Sequence, residues 1–109
     1  MGQFLYHFQP GDRPELAAGP EAWTEADLEV ANRHARYIDE AAVAGVVLMA
    51  GRSQDWVGPA VVVLEAEDEP AARAFMESDP FVAEGLFRAG LHPFRIAFGP
   101  LAVHPSSGS

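Results

Sequence analysis

Hydrophobic and polar positions along the chain follow two rhythms, one of strands and one of helices. Residues 3–9, Gln-Phe-Leu-Tyr-His-Phe-Gln, are aromatic-rich and stop at Pro10-Gly11, which predicts a strand. Three prolines and two glycines among charged residues make 10–23 a loop with room for one short helical turn. Thr24 to Ala44 predicts a long helix. Thr24 is the N-cap, Asp27 completes a capping box, and Trp23 and Leu28 have hydrophobic-staple spacing. Leu28, Ala31, Ala35, Ile38 and Ala42 form one apolar stripe, and Gly45 supplies the stop.

Val46 to Ala50 predicts a buried strand ending at Gly51, and residues 52–59 a polar loop closed by Gly58-Pro59. Ala60 to Ala66 then pairs back as a hairpin partner. A second helix starts near Asp68 or Glu69 with Pro70 in its first turn, and Ala71, Ala74, Phe75 and Met76 facing inward. Ser78-Asp79-Pro80 interrupts it, because a residue before proline leaves the α region easily. Residues 81–88 predict a short resumed helix broken by Gly90. Pro93 to Phe98 predicts the last strand, with Phe94, Ile96 and Phe98 on one face. The order βαββαβ is that of a ferredoxin-like α+β domain, a four-stranded antiparallel sheet with two helices on one face. Residues 1–99 form this domain and 100–109 a flexible Pro/Ser/Gly-rich tail.

The strands at 4–8 and 61–64 are apolar at odd and even positions alike, whereas two helices cover only one face of such a sheet. A second copy of the sheet is the simplest cover for the other face, so a homodimer with a small-molecule cavity is expected.

Composition narrows the function. The net charge of −9, with arginine as the sole basic residue other than histidine, excludes a nucleic-acid backbone or an anionic membrane as the main partner. Absence of cysteine removes disulfides, thiolate catalysis and Cys-based metal sites. No apolar run reaches membrane length, and the first residues lack the features of a signal peptide, so a cytoplasmic protein is expected. The third strand, Ala-Val-Val-Val-Leu-Glu-Ala, has neither the aromatics nor the cations of an RNA-binding sheet. No Gly-x-Gly-x-x-Gly, Walker, Gly-x-Ser-x-Gly or His-Glu-x-x-His pattern occurs.

Chemistry then rests on a few residues. His34 lies three and four residues from Ala31 and Ile38, beside the stripe; it is either a core-edge histidine bonded to a carbonyl or a general acid–base. Asp79 is either the N-cap of a short helix begun by Pro80 or, at the same time, the group that fixes a histidine tautomer. Arg52 is either a loop cation paired with Asp55 or a binder of anionic substrate groups. His7 lies among aromatics on the first strand, His92 precedes Pro93 at a strand start, and His104 belongs to the tail. No spacing here favours a metal site.

Taken together, His34 in the first helix, Gly51 ending a strand 17 residues later, Asp79-Pro80-Phe81 after the second helix and the Gly-Leu-His-Pro-Phe segment resemble the YciI-like (YCII-related) family over residues 3–98. The resemblance implies a ferredoxin-like fold that dimerises as a dimeric α/β barrel. It also implies a His–Asp active-site pair, which falls on His34 and Asp79. A dehydrochlorinase acting on a chlorinated hydroxyhydroquinone is a characterised relative. Where the family often has Gly-Pro, this chain has Gly51-Arg52, which changes the rim of the expected pocket, and its 10–23 loop is longer than in the shortest members.

Two functions of different class follow. One is a cofactor-independent lyase, isomerase or dehydrohalogenase in which Asp79 orients His34 and Tyr6, Phe8 and Arg52 contact the substrate. The other is a non-catalytic dimeric module that binds a small ligand or serves a structural or regulatory role, with His34 and Asp79 a buried structural pair. Haem or flavin chemistry is known in related dimeric barrels, but no residue here demands it.

Overall fold

A computed structural model describes residues 1–102; residues 103–109, with His104 and most of the expected tail, lie outside the described residues. Four strands form one antiparallel sheet: β1 (Gly2–Pro10), β2 (Val47–Arg52), β3 (Ala60–Ala66) and β4 (Phe87–Phe94), in the spatial order β2-β3-β1-β4. The connecting helices are α1 (Glu25–Val43), α2 (Glu69–Ser78) and the single turn α3 (Pro80–Ala83). This is the ferredoxin-like α+β arrangement that the element order predicts.

Phe4 and Tyr6 of β1, Val47 of β2 and Val62 and Leu64 of β3 pack against Ala72 and Met76 of α2, with Ile38 and Ala41 of α1 alongside. Both long helices therefore sit on the same face of the sheet. A second cluster closes the end of the sheet where β1 finishes. There Leu16, from a 3₁₀ turn at Pro14–Ala17, is fully buried with Val30, Leu86 and Phe87. The 10–23 segment is thus a packed plug as well as a connection.

The start of α1 is built as the capping box requires: Asp27 N–H donates to Thr24 Oγ1 (3.1 Å) and Thr24 N–H to Asp27 Oδ2 (2.9 Å). Arg13 adds two bonds to the same carboxylate, at 2.6 and 3.0 Å. Leu28 is half exposed and borders a cleft, so it does not complete a buried staple. The stripe Leu28, Ala31, Ala35, Ile38, Ala42 borders that cleft along its whole length, and of the five only Ile38 also packs against the core cluster. The inward line of the helix is Asp27, Val30, His34, Tyr37 and Ala41, one residue round, because three polar members of it are bonded to partners across the packing interface.

The last strand departs most from expectation. β4 runs from Phe87 to Phe94, not from Pro93 to Phe98, and Phe98 is 90% exposed outside the sheet. Gly90 does not break a helix; it lies inside β4 opposite His7, whose Nε2 would stand 2.8 Å from a Cβ there. Pro93 is tolerated because β4 is an edge strand. His92 is consequently a mid-strand residue, and its Nε2 lies 3.2 Å from that of His7.

On the face opposite the helices, Leu5, His7, Val61, Val63, Met49 and His92 share one side, as their pairing positions require. Val63 is buried by its neighbours, while Met49 and Phe94 are nearly half exposed.

Candidate active site

The corner between α2 and α3 positions the central carboxylate. Pro80 holds Asp79 in an extended conformation (φ −60°, ψ 125°), which ends α2 and starts α3. The Asp79 side chain turns back to accept Phe81 N–H at 3.0 Å, as an N-cap does, and it is fully buried. It carries two further bonds. Tyr6 OH donates to Oδ2 at 2.8 Å, and His34 Nδ1 lies 2.7 Å from Oδ1. A carboxylate only accepts, so the proton of this bond sits on His34 Nδ1; in the neutral imidazole that arrangement leaves Nε2 with its lone pair. Both local readings of Asp79 are therefore realised at once: it caps a helix and it holds a histidine.

The imidazole is held by packing as well. Phe81 lies over its face, with centroids 4.0 Å apart and 22° between planes, and Phe8 meets it edge-on at 5.7 Å. The His34 side chain is 20% exposed and borders a cavity of about 970 Å³ between α1, the end of the β2–β3 hairpin and the 10–23 segment. Aromatic and aliphatic side chains supply most of the wall, which suits an apolar or ring-shaped guest.

Burial and the Asp79 charge act on the neighbouring phenols. Tyr6 holds its proton far above the usual phenol range, chiefly because it is buried and then because Asp79 faces it. Tyr37, whose OH donates to the Phe75 carbonyl at 2.7 Å, is pushed up to about 12 by burial and by Asp79.

Phe8, His34 and Arg52 all border the cavity, with Asp79 directly behind His34. Tyr6, expected as a substrate contact, is fully enclosed and absent from the cavity wall. It faces the helices from the sheet's covered side, where its hydroxyl reaches the aspartate instead. Arg52 is not paired with Asp55; its Cζ stands 3.5 Å from the Trp56 ring centroid. Sequence reasoning missed Trp23 and Trp56, which meet edge to face across the cavity rim. The signal available was a tryptophan inside each of two polar loops, where an aromatic has no strand or helix face to fill. Among the described residues no group of three or more His, Asp or Glu side chains could hold a metal ion.

Residues 10–91 match the YCII-related domain. The chain belongs to the YCII-related family. Among solved structures, 5-chloro-2-hydroxyhydroquinone dehydrochlorinase from Burkholderia phenoliruptrix AC1100, in complex with 2,5-dihydroxybenzoquinone, is similar at 20% identity and a TM-score of 0.60, over 85% of this chain and 93% of that one. Muconolactone isomerase is similar at 9% identity and a TM-score of 0.65, over 95% and 97%. At these identities the likeness establishes the shared fold. No curated protein matches the sequence. Within this YCII-related chain, the matched span holds His34, Asp79, Arg52 and both tryptophans, while Tyr6 and Phe8 precede it. No helix among the described residues is long and apolar enough to cross a membrane.

Proposed function

We propose that this YCII-related protein is a cofactor-independent enzyme that moves a proton on a small molecule bound in the cavity. His34 Nε2 takes a proton from an acidic C–H of the substrate. The electron pair left on carbon forms a double bond, and either a leaving group such as halide departs with its own pair or the proton returns at another carbon. Asp79 keeps the proton on Nδ1 and stabilises the imidazolium as it forms. The observation that carries this reading is the 2.7 Å His34–Asp79 contact, with the carboxylate sealed from water and the imidazole bordering a cavity. A purely structural pair would be expected with both groups enclosed. That one neighbour in fold is a dehydrochlorinase and another an isomerase supports the reaction class. A second copy packed on the open sheet face, over Leu5, Val63 and Met49, completes the working form as a homodimer, testable by sedimentation at micromolar concentration.

The test is proton exchange. Protein is incubated in D₂O with 5-chloro-2-hydroxyhydroquinone or muconolactone, and deuterium incorporation or chloride release is followed. Wild type turns over at least one of them, and His34→Ala loses about 10²–10⁴-fold while keeping its fold. Undiminished turnover in that variant removes the proposed role.

A further inference from the structure

The rim of the cavity carries an unspent cation. Arg52 is the single Lys or Arg among the residues that border the cavity, and among the described residues no carboxylate pairs with it. The carboxylate nearest in sequence, Asp55, turns Oδ1 into its own loop, accepting from Ser53 Oγ at 2.5 Å, Val57 N–H at 2.9 Å and Gly58 N–H at 3.3 Å, and makes no ion pair with Arg52. Trp56 sits at a left-handed φ of 64°, a conformation that costs a non-glycine residue energy, and in it the indole lies under the guanidinium. Stacking occupies the π-face of the guanidinium and leaves its in-plane N–H donors free. Asp39, on α1, is the one carboxylate bordering the same cavity.

We propose that Arg52, braced on Trp56, makes the cavity selective for a flat ring or enolic molecule bearing a carboxylate or similar planar anionic group. The guanidinium donates paired N–H bonds to that group. The apolar wall takes the ring, and repulsion from Asp39 sets which end enters first. This deepens the proton-transfer reading and rests on it for the claim that the guest is a substrate. It accounts for how a chain of net charge −9 takes up an anion, through one oriented cation on the cavity rim.

The test uses two probes of one shape, 2-naphthoate and its neutral counterpart 2-naphthamide, titrated by calorimetry into the whole protein. Wild type binds the carboxylate roughly tenfold tighter than the amide. Arg52→Gln abolishes that preference, the carboxylate losing more affinity than the amide, and Arg52→Lys keeps part of it, having charge without the fork. His34→Ala retains the full preference. Equal binding of the two probes by wild type, no binding of either, or a preference that survives in Arg52→Gln overturns the proposal. So does loss of the preference in His34→Ala, since the anion would then sit on the imidazole. If the naphthoate preference holds and every proton-exchange assay is blank, the anion site stands and the enzymatic reading fails.

Discussion

His34 Nδ1 and Asp79 Oδ1 lie 2.7 Å apart across a sequence separation of 45 residues, joining the first long helix to the corner that ends the second. An asparagine at 79 can still accept from His34 and from Phe81 N–H, and its amide can donate to Tyr6. What it removes is the negative charge that stabilises an imidazolium. Asp79→Asn, which leaves the buried Tyr6 O–H without its acceptor, is expected to stay folded with a stability lower by about 1–3 kcal/mol, while kcat falls about 10²–10⁴-fold. A variant as active as wild type would show that the carboxylate has only a capping role.

Tyr6 acts behind this pair. Its hydroxyl is the donor to Asp79 Oδ2, and both groups are fully buried. Tyr6→Phe removes one atom and leaves a buried carboxylate oxygen without that donor, at a cost of about 1–3 kcal/mol. For a domain of this size the thermal midpoint is expected to fall by roughly 5–15 °C. In the Asp79→Asn background the same change is expected to cost less, because no buried charge is then left short of a donor. Equal costs in the two backgrounds would refute the coupling.

The fold was readable because the strand and helix rhythms are clean and Thr24, Gly45 and Asp79-Pro80 mark helix ends unambiguously. The errors have physical causes. Gly90 read as a helix breaker and Pro93 as the start of the last strand, yet an edge strand tolerates the proline and the close approach of His7 calls for the glycine. The apolar stripe of α1 was legible, but that it lines a cavity was not, because nothing in periodicity tells a cavity wall from a core face. His34 and Asp79 were legible as candidates. That Tyr6 would serve the aspartate and not the substrate depends on which sheet face the helices cover, which alternation on a two-sided apolar strand does not say.

Alkaline stability follows from the two tyrosines. Both hold their protons more tightly in the folded chain, Tyr37 with a value of about 12 and Tyr6 beyond that, for reasons of burial and the Asp79 charge. Unfolded tyrosine ionises near pH 10. The stabilisation is whole below about pH 10 and is lost as pH rises through and past the folded value of Tyr37. The chain has no lysine or cysteine to share that range, and arginine stays charged. Urea midpoints are expected to decline above about pH 10, with tyrosinate absorbance lagging behind that of the urea-unfolded chain. Superimposable folded and unfolded absorbance titrations would contradict this.

At the acid end Asp27, buried and ion-paired, is the strongest responder, with the exposed Asp55 also lowered by its Ser53 hydrogen bond. The Arg13 guanidinium, and after it the Thr24 backbone N–H, hold the Asp27 carboxyl well below the usual carboxylate range. The unfolded carboxyl takes up its proton near pH 4, so this stabilisation is present above about pH 4 and is lost as pH falls further. Asp27→Asn is expected to be less stable at neutral pH and to show a shallower decline between about pH 4 and 2. Parallel acid limbs for the variant and wild type would place the acid sensitivity elsewhere.

Gly90 offers a test of the open sheet face. Its φ lies outside the left-handed region, so an alanine is conformationally allowed there and would by itself reduce the entropy of the unfolded chain. The obstacle is His7, whose Nε2 would stand 2.8 Å from the new Cβ and is now 3.2 Å from His92 Nε2. The imidazole must swing away and give up its partner. Gly90→Ala is expected to destabilise wild type by a few tenths of a kcal/mol, the loss of one hydrogen bond worth about 1 kcal/mol less that entropic gain. In a His7→Ala background it is expected to become neutral or stabilising by about 0.4–1 kcal/mol. The sign change between backgrounds, read from urea midpoints, isolates the histidine contact from strand propensity. The same cost in both backgrounds would mean that the glycine answers to the backbone and not to His7.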